Sequence, residues 1–272
     1  MQLSELRTFL AIIETGSLVR ASERLHVTQS TVTARLKSLE NALGQRLINR
    51  TKSGATLTEA GIRLRRYAQT IDELWSQARQ ETALPKTVNF VCNLGCETDL
   101  WDNLGRDVFA HVNTAHPNSA LTVWTGSHQD MRNWLKQGLC DVVISYDTPI
   151  GAQNVTLTDD TLIMVSDLAN SPVRGNPAYI FVESGADFGR EHAIYFSDSA
   201  TAKISFNSAP TALDHLLSVG GAAYLPQRIV ENHLRSGDLY QLHDAPTYRR
   251  KTYLSARADF AFDPKTFTTN AL

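Results

Sequence analysis

Apolar positions in the first eighty residues recur at helical spacing. Leu6, Phe9, Leu10 and Ile13 mark one face of an opening helix that Gly16-Ser17 ends. Two short helical patterns follow, joined by a tight polar turn, in ASERLHVTQSTVTARLKSLE, Ala21 to Glu40. Ala21 and Leu25 share a face, Val27 falls in the turn, and Thr28 stands as an N-cap before Gln29. Val32, Leu36, Leu39 and Leu43 then form a buried stripe, which leaves Gln29, Ser30, Thr33, Arg35 and Lys37 to solvent or a partner. Gly44 supplies a C-cap, and Arg46 to Thr58 reads as two extended pieces around Lys52-Ser53-Gly54, a wing. Short hydrogen-bonding groups at a helix start with long cations behind them suit double-stranded DNA, where base edges and phosphates must be met together. A solvated helix carrying a few cations fits the bare pattern equally well.

From Thr58 to Gln80 the pattern is one long helix, in which Ala60 or Gly61, Leu64, Ala68, Ile71, Trp75 and Ala78 repeat at about 3.5 residues. That period favours a seam with a second copy of the chain, and the alternative is a helix packed on its own domain. Residues 81–86, with Pro85, read as a linker, and beyond them the period changes. Strand-like runs at 88–92, 121–124, 142–146, 162–165, 179–182 and 222–225 alternate with helical stretches at 100–112, 130–138 and 211–219. The alternation predicts an α/β domain with largely parallel sheet.

Composition agrees with two domains: 272 residues exceed one usual core, and 42% hydrophobic residues suffice for two. No run reaches membrane-spanning length and Met1 opens directly into amphipathic helix, so a cytoplasmic location without a membrane partner is expected. Cys92, Cys96 and Cys140 are too few for a disulfide framework, and no histidine stands beside them at metal-ligand spacing; reduced thiols and no metal are expected. The net charge of −2 is unevenly shared: residues 1–82 hold 12 Lys and Arg against 8 Asp and Glu, and the remainder 14 against 20. Within 46–66, Arg46, Arg50, Lys52, Arg63, Arg65 and Arg66 face only Glu59, a cluster that suits phosphates and is otherwise a solvated face.

The N-terminal sixty residues resemble the LysR-type transcriptional regulators. Leu6, Phe9, Leu10, Gly16-Ser17, Ala21, Leu25, Thr28-Gln29-Ser30, Val32 and Leu39-Glu40 carry the match, continued by Leu43-Gly44, Leu47, Arg50, Leu57-Thr58 and Ala60-Gly61. The resemblance implies a winged helix-turn-helix whose wing lies along the DNA backbone or minor groove. Arg50 and Lys52 are the wing candidates, although Arg50 is equally suited to pairing with a helix end. Members often carry proline at the position of Ser30, serine at Thr33, arginine at Ala34, phenylalanine at Ile48 and a basic residue at Ser53, so the base sequence read does not carry over.

A weaker match continues through His116-Pro117, Gly126, Leu135, Gly138, Asp141, Ala212-Leu213, Gly220-Gly221, Leu225-Pro226, Leu239 and Leu242. It implies a multi-domain α+β protein: winged helix-turn-helix at 1–58, linker and dimerisation helix at 59–85, and at 86–272 an α/β effector domain of two lobes like those of periplasmic binding proteins. The chain is expected to cross between lobes near 148–156 and 237–246. Relative to the family, the stretch between Leu162 and Tyr179 is short and the part after Phe262 lacks the usual final helices, so a smaller or more open cleft is expected.

A small-molecule effector is expected between the lobes, where strand ends and helix starts converge. Three loops are candidates: Asn93 to Cys96, Gly126 to His128, and Ser184 to Arg190. The candidate effector residues are Asn93, Cys96, Ser127, Ser184, Phe188 and Arg190, of which Ser127 matches an effector-contacting position in some members. Each loop serves equally as a polar turn. Cys92 and Cys96, four apart, fit either a redox pair or small apolar core residues. Without GxSxG, a Walker loop, HExxH or GxGxxG, and with histidines lacking a nucleophile partner, no catalytic residue and no cofactor are expected. An architectural DNA-binding protein without effector, and less so an α/β enzyme, are the alternatives to a homo-oligomeric regulator.

Overall fold

The computed structural model describes residues 2–51, 54–196, 202–261 and 263–267, and the chain divides into two compact units, Met1–Pro85 and Lys86–Leu272. The first unit contains α1 (Leu3–Thr15), α2 (Leu18–Arg24), α3 (Gln29–Leu43), β1 (Ile48–Thr51), β2 (Gly54–Leu57) and α4 (Glu59–Thr82). Its helices begin where a side-chain oxygen meets an orphan amide: Thr28 Oγ1 accepts from Thr31 N at 3.2 Å and Thr58 Oγ1 from Gly61 N at 3.0 Å. Leu6, Phe9 and Ile12 of α1, Ala21 of α2 and Val32, Leu36 and Leu39 of α3 close into one core with Leu47, Ile48 and Ala68. Leu43, expected to extend the buried stripe, is exposed because α3 ends there at the left-handed Gly44.

β1 and β2 pair antiparallel from Ile48 with Leu57 to Thr51 with Gly54; the expected wing tip, Lys52 and Ser53, lies outside the described residues. Two anchors fix this hairpin. Glu40 Oε1 accepts from Leu47 N at 2.8 Å and Ile48 N at 3.3 Å, and Ala55 N donates to Gly16 O at 2.8 Å. Gly61 is required where α4 starts, since a Cβ there would lie 2.2 Å from Leu47 O. The first half of α4 packs on its own domain through Ala60, Leu64 and Ala68, with Arg7 Nε bonded to Asp72 at 2.6 Å. Tyr67 on the outer side of that half is 54% exposed, and Ile71 and Trp75 beyond it are 38% and 50% exposed.

The second unit is built on β3 (Phe90–Glu97), β4 (Ser119–Gly126), β5 (Val142–Ser145), β6 (Gln153–Ser166), β7 (Tyr179–Val182), β8 (Ile204–Phe206), β9 (Ala222–Pro226), β10 (Tyr240–Gln241) and β11 (Tyr248–Ala256). These nine described strands form one sheet in the order β4-β3-β5-β11-β6-β9-β7-β8, with β10 also on β6. The helices are α5 (Thr98–Leu100), α6 (Arg106–Ala115), α7 (His128–Gln137), α8 (Ala186–Tyr195), α9 (Ala209–Val219) and α10 (Gln227–Ser236). Parallel pairing holds at each end, β3 with β4 and β5, and β7 with β8 and β9. The middle is an antiparallel ribbon of β6 and β11, in register from Tyr248 with Leu162 to Ala256 with Gln153.

Two lobes follow from where the cores lie. Leu157 and Leu254 pack with Cys92, Leu94, Val108 and Ile144 in the first lobe, whereas Leu162 and Tyr248 pack with Met164, Phe188 and Tyr224 in the second. The chain therefore crosses between Leu157 and Leu162 and between Tyr248 and Leu254, rather than near 148–156 and 237–246. Both expected crossing segments were placed too early because the waist is paired strand.

Three further expectations are corrected. The first strand runs on to Glu97, so Asn93 to Cys96 is strand and not loop; Gly95 sits where a Cβ would meet Val143, Cys140 and Met131. Ser184 to Arg190 is mostly the start of α8, which places Phe188 and Arg190 on a helix. The helix expected at 100–112 is broken: Trp101–Gly105 is a wide turn with Asn103 at φ 74°, ψ −83°, between α5 and α6.

Candidate nucleic-acid interface and inter-lobe site

α3 is locked by its apolar stripe, so its remaining faces are fixed in direction. At about 100° per residue, positions two apart point about 160° away from each other, whereas three- and four-residue spacings share a face. Ser30, Thr33 and Lys37 therefore form one face together with Ala34, with Gln29 at its N-terminal edge. Arg35, flanked by Thr33 and Lys37 at two residues on either side, falls on the opposite flank and is half-buried. The structure separates it from the face where sequence reasoning had grouped it. Ser30 Oγ lies 2.8 Å from Thr28 Oγ1, so its hydroxyl is already coupled to the helix cap.

Arg50 is exposed on β1, and Arg46, Arg63, Arg65 and Arg66 are exposed around the start of α4. Arg63 pairs with Glu59 at 2.8 Å on the helix surface, the only acid inside the cluster. An exposed pair of this kind is weak and leaves the surface cationic. Lys52 lies outside the described residues.

In the second unit the C-terminal ends of the strands converge on the waist. Glu97, at the end of β3, is buried; its Oε1 accepts from Tyr146 N at 3.0 Å and stands 3.2 Å from His128 Nδ1. Burial raises the Glu97 carboxyl above the ordinary range, against the lowering effect of those hydrogen bonds and of nearby Arg250. Asp160, on β6, is the centre of the site, with only 2% of its side chain exposed. Its Oδ2 accepts from Arg250 Nε at 3.0 Å and Tyr146 Oη at 3.0 Å, and its Oδ1 lies 3.2 Å from Arg228 Nε. Arg250 also stacks 3.6 Å from the Tyr146 ring centre and donates to Ser184 O at 3.2 Å. Burial, ahead of its charged neighbours, raises the Tyr146 phenol, so it stays protonated as a donor to Asp160.

The expected effector residues fare differently against this geometry. Ser184 reaches the waist through its carbonyl. Ser127, exposed, caps α7 in a reciprocal pair with Asp130, its Oγ and N lying 2.7 and 2.8 Å from Asp130 Oδ2. Asn93 is buried and gives its N and Nδ2 to Asp141 Oδ2 at 2.9 and 3.1 Å, an internal brace of the first lobe. Cys96 is fully buried. Phe188 belongs to an aromatic core with Phe181, His192, Tyr224 and Tyr248, and Arg190 is exposed and paired with Asp187. Burial pushes the Cys92 thiol up to about 12 and raises Cys96 and Cys140 likewise, the opposite of reactive thiols. Sequence reasoning missed Glu97, Tyr146, Asp160, Arg228 and Arg250: the β6–β11 register sets Arg250 opposite Asp160, and the ends of β3 and β5 and the start of α10 bring in Glu97, Tyr146 and Arg228. Among the described residues no cluster of His, Cys, Asp and Glu is arranged to hold a metal, and no helix is long and apolar enough to cross a membrane.

A winged helix-turn-helix and a two-lobed α/β unit on one chain define a DNA-binding regulator with its own sensing module. Residues 3–62 match the family model of the bacterial regulatory helix-turn-helix proteins of the lysR family, and 91–266 match the LysR substrate binding domain. The chain belongs to the LysR family of transcriptional regulators, which are not enzymes. The HTH-type transcriptional regulator HdfR of Escherichia coli (strain SMS-3-5 / SECEC) is 27% identical over 252 residues, covering 91% of this chain and 89% of HdfR. Among solved structures, CbnR, a LysR family transcriptional regulator, superposes with a TM-score of 0.75 at 17% identity, over 99% of this chain and 100% of CbnR. Vibrio fischeri DarR in complex with DNA superposes at 0.59 with 19% identity, over 98% of this chain and 96% of DarR. At these identities the solved structures speak for the fold alone.

Proposed function

We propose that this regulator acts in the cytoplasm as a homo-oligomer on double-stranded operator DNA and responds to a small-molecule effector bound between its lobes. The observation that carries the reading is the α3 face of Ser30, Thr33 and Lys37, held outward by a fully buried stripe and flanked by an exposed wing. Thr33 and Gln29 are assigned to base edges, and Lys37, Arg50 and Lys52 to phosphates. Ser30 contributes through the cap it shares with Thr28, and Arg35 reaches only a flanking phosphate. Ile71, Trp75 and Ala78, left over once α1 has covered the first half of α4, supply the seam between two copies, with Tyr67 beside it.

The waist around Asp160, Arg250 and Ser184 is the assigned sensing site, with Ser127 at its rim. Asn93, Cys96, Phe188 and Arg190 are left out of it on the geometry above. Fluorescence anisotropy of a labelled duplex at rising salt tests the head: binding should weaken steeply with salt as phosphate contacts release counterions. Absence of binding at low salt would overturn the assignment. A metabolite screen read by thermal shift tests the sensing module, in which a ligand that raises the melting temperature without changing DNA binding contradicts a switch.

A further inference from the structure

The lobes are joined in two different ways. One joint is the β6–β11 ribbon, whose ladder crosses the waist unbroken apart from a bulge at Thr252/Tyr253. The other is a set of side-chain bonds between the wide turn of the first lobe and the starts of α9 and α10 in the second. One guanidinium carries most of it. Arg228, in the first turn of α10, donates from Nη2 to Asp99 O at 2.6 Å and to Tyr146 Oη at 3.1 Å, and from Nη1 to Asp102 O at 3.1 Å. Asn103 Nδ2 returns a bond to Arg228 O at 3.3 Å, and Ala209 N at the start of α9 donates to Asp99 Oδ2 at 3.1 Å.

We propose that Arg228 is a latch that holds the two lobes together, and that releasing it is the step by which the effector domain changes state. The inference rests on the reading above that an effector bound between the lobes changes how the regulator acts on DNA. Three features distinguish a latch from an ordinary brace. First, Arg228 bonds mostly to neutral carbonyls and a phenol, and its Nε, although 3.2 Å from Asp160 Oδ1, is not aligned for a hydrogen bond. With 19% of the side chain exposed, water can enter as these bonds open one by one, whereas the ribbon cannot part without losing its whole ladder.

Second, the fork of the guanidinium is what spans Asp99, Asp102 and Tyr146 at once; a lysine ammonium reaches one or two of them. Third, the partner turn is strained. Asn103 at φ 74°, ψ −83° occupies a region that non-glycine residues avoid, and its side chain is tied to Arg228 O. A turn strained only while docked stores the means of undocking, which gives two arrangements rather than a continuum.

The test is the distance between lobes in the full-length protein. Spin labels are placed through Lys136→Cys in α7 and Asn232→Cys in α10, both exposed, while the buried native thiols stay unlabelled. Labelled chain is mixed with excess unlabelled chain so that distances within one protomer dominate. The unmodified latch should give one narrow distribution. Arg228→Ala should shift the mean to longer distance by several ångström and broaden it, and Arg228→Lys should give a mixture of the two.

Asn103→Gly, which relieves the strain, should keep the narrow distribution and slow its loss in mild urea. Should Arg228→Ala fail to fold, the lysine variant carries the test. An unchanged distribution in a folded Arg228 variant overturns the latch. A shifted distribution with altered spacing of the protected DNA in footprinting supports both latch and switch. A shifted distribution with unaltered protection supports the latch and refutes its coupling to DNA.

Discussion

Asp160→Asn isolates the waist with the smallest change of shape. The substitution keeps one oxygen but turns the other into an NH2 donor, facing Arg250 and Tyr146, which donate to the carboxylate, and the Arg228 guanidinium, whose Nε lies 3.2 Å from Oδ1. Removing one partner of a buried ion pair costs about 3–5 kcal/mol, because the remaining charge stays buried without its counterpart. Here the two guanidiniums keep 16% and 19% side-chain exposure, so water partly offsets the loss and the lower end, about 3 kcal/mol, is expected.

For a unit of this size each kcal/mol moves the melting temperature by about 2–4 °C, so the midpoint should fall by about 6–12 °C. Tryptophan emission reads the right unit, since Trp101, Trp124 and Trp134 lie in it and only Trp75 lies outside. The control is one residue away. Asp159 faces Lys251 across the same ribbon but is exposed, so Asp159→Asn makes the same charge change for at most about 0.5 kcal/mol. Equal small shifts for both variants would refute the claim that the waist is organised around a buried carboxylate.

Trp75→Ala should weaken self-association by about tenfold or more in sedimentation, as expected of a central aromatic anchor, and an unchanged association constant would place the seam elsewhere. Glu97 has a folded pKa above its unfolded value, so its contribution to stability is full below the ordinary carboxylate range and is lost as pH rises past that range through the raised folded value. Glu97→Gln should accordingly match wild type at about pH 4 and be more stable at about pH 7; the reverse order would show the carboxylate to be stabilised. Cys92, Cys96 and Cys140 should resist a thiol reagent at about pH 8 until the protein is unfolded, and fast native labelling would reopen the redox reading.

The head was legible because its signals are local. Thr28 caps the amides next to it, Gly44 ends α3 one residue after Leu43, and the buried stripe repeats within a single helix. Arg35 was misplaced for a reason of geometry: exposure was read correctly as non-core, but two-residue spacing sends it to a different side from Thr33 and Lys37. In the effector domain the short apolar strands announced themselves, and Tyr179–Val182 was found to the residue.

The waist did not, because Gln153–Thr161 and Arg249–Thr252 are largely polar and pair with each other rather than with a core. A strand that needs no apolar face leaves no period to read. Gly95 made a strand look like a loop, and Gly185 and Gly189 did the same for the start of α8, although a missing side chain serves close packing as readily as it serves a turn.

The central claim is that α3 reads base sequence through one face. Its most direct measurement is selection of binding sites from random duplex DNA at fixed salt, followed by titration of the winner against wild type, Thr33→Ala and Arg35→Ala. The account predicts an inverted repeat on which Thr33→Ala loses about 1–3 kcal/mol of discrimination over random DNA, while Arg35→Ala keeps discrimination and lowers only the salt slope, by about 1. Recovery of no common sequence, or loss of discrimination in Arg35→Ala with Thr33→Ala unaffected, would contradict it.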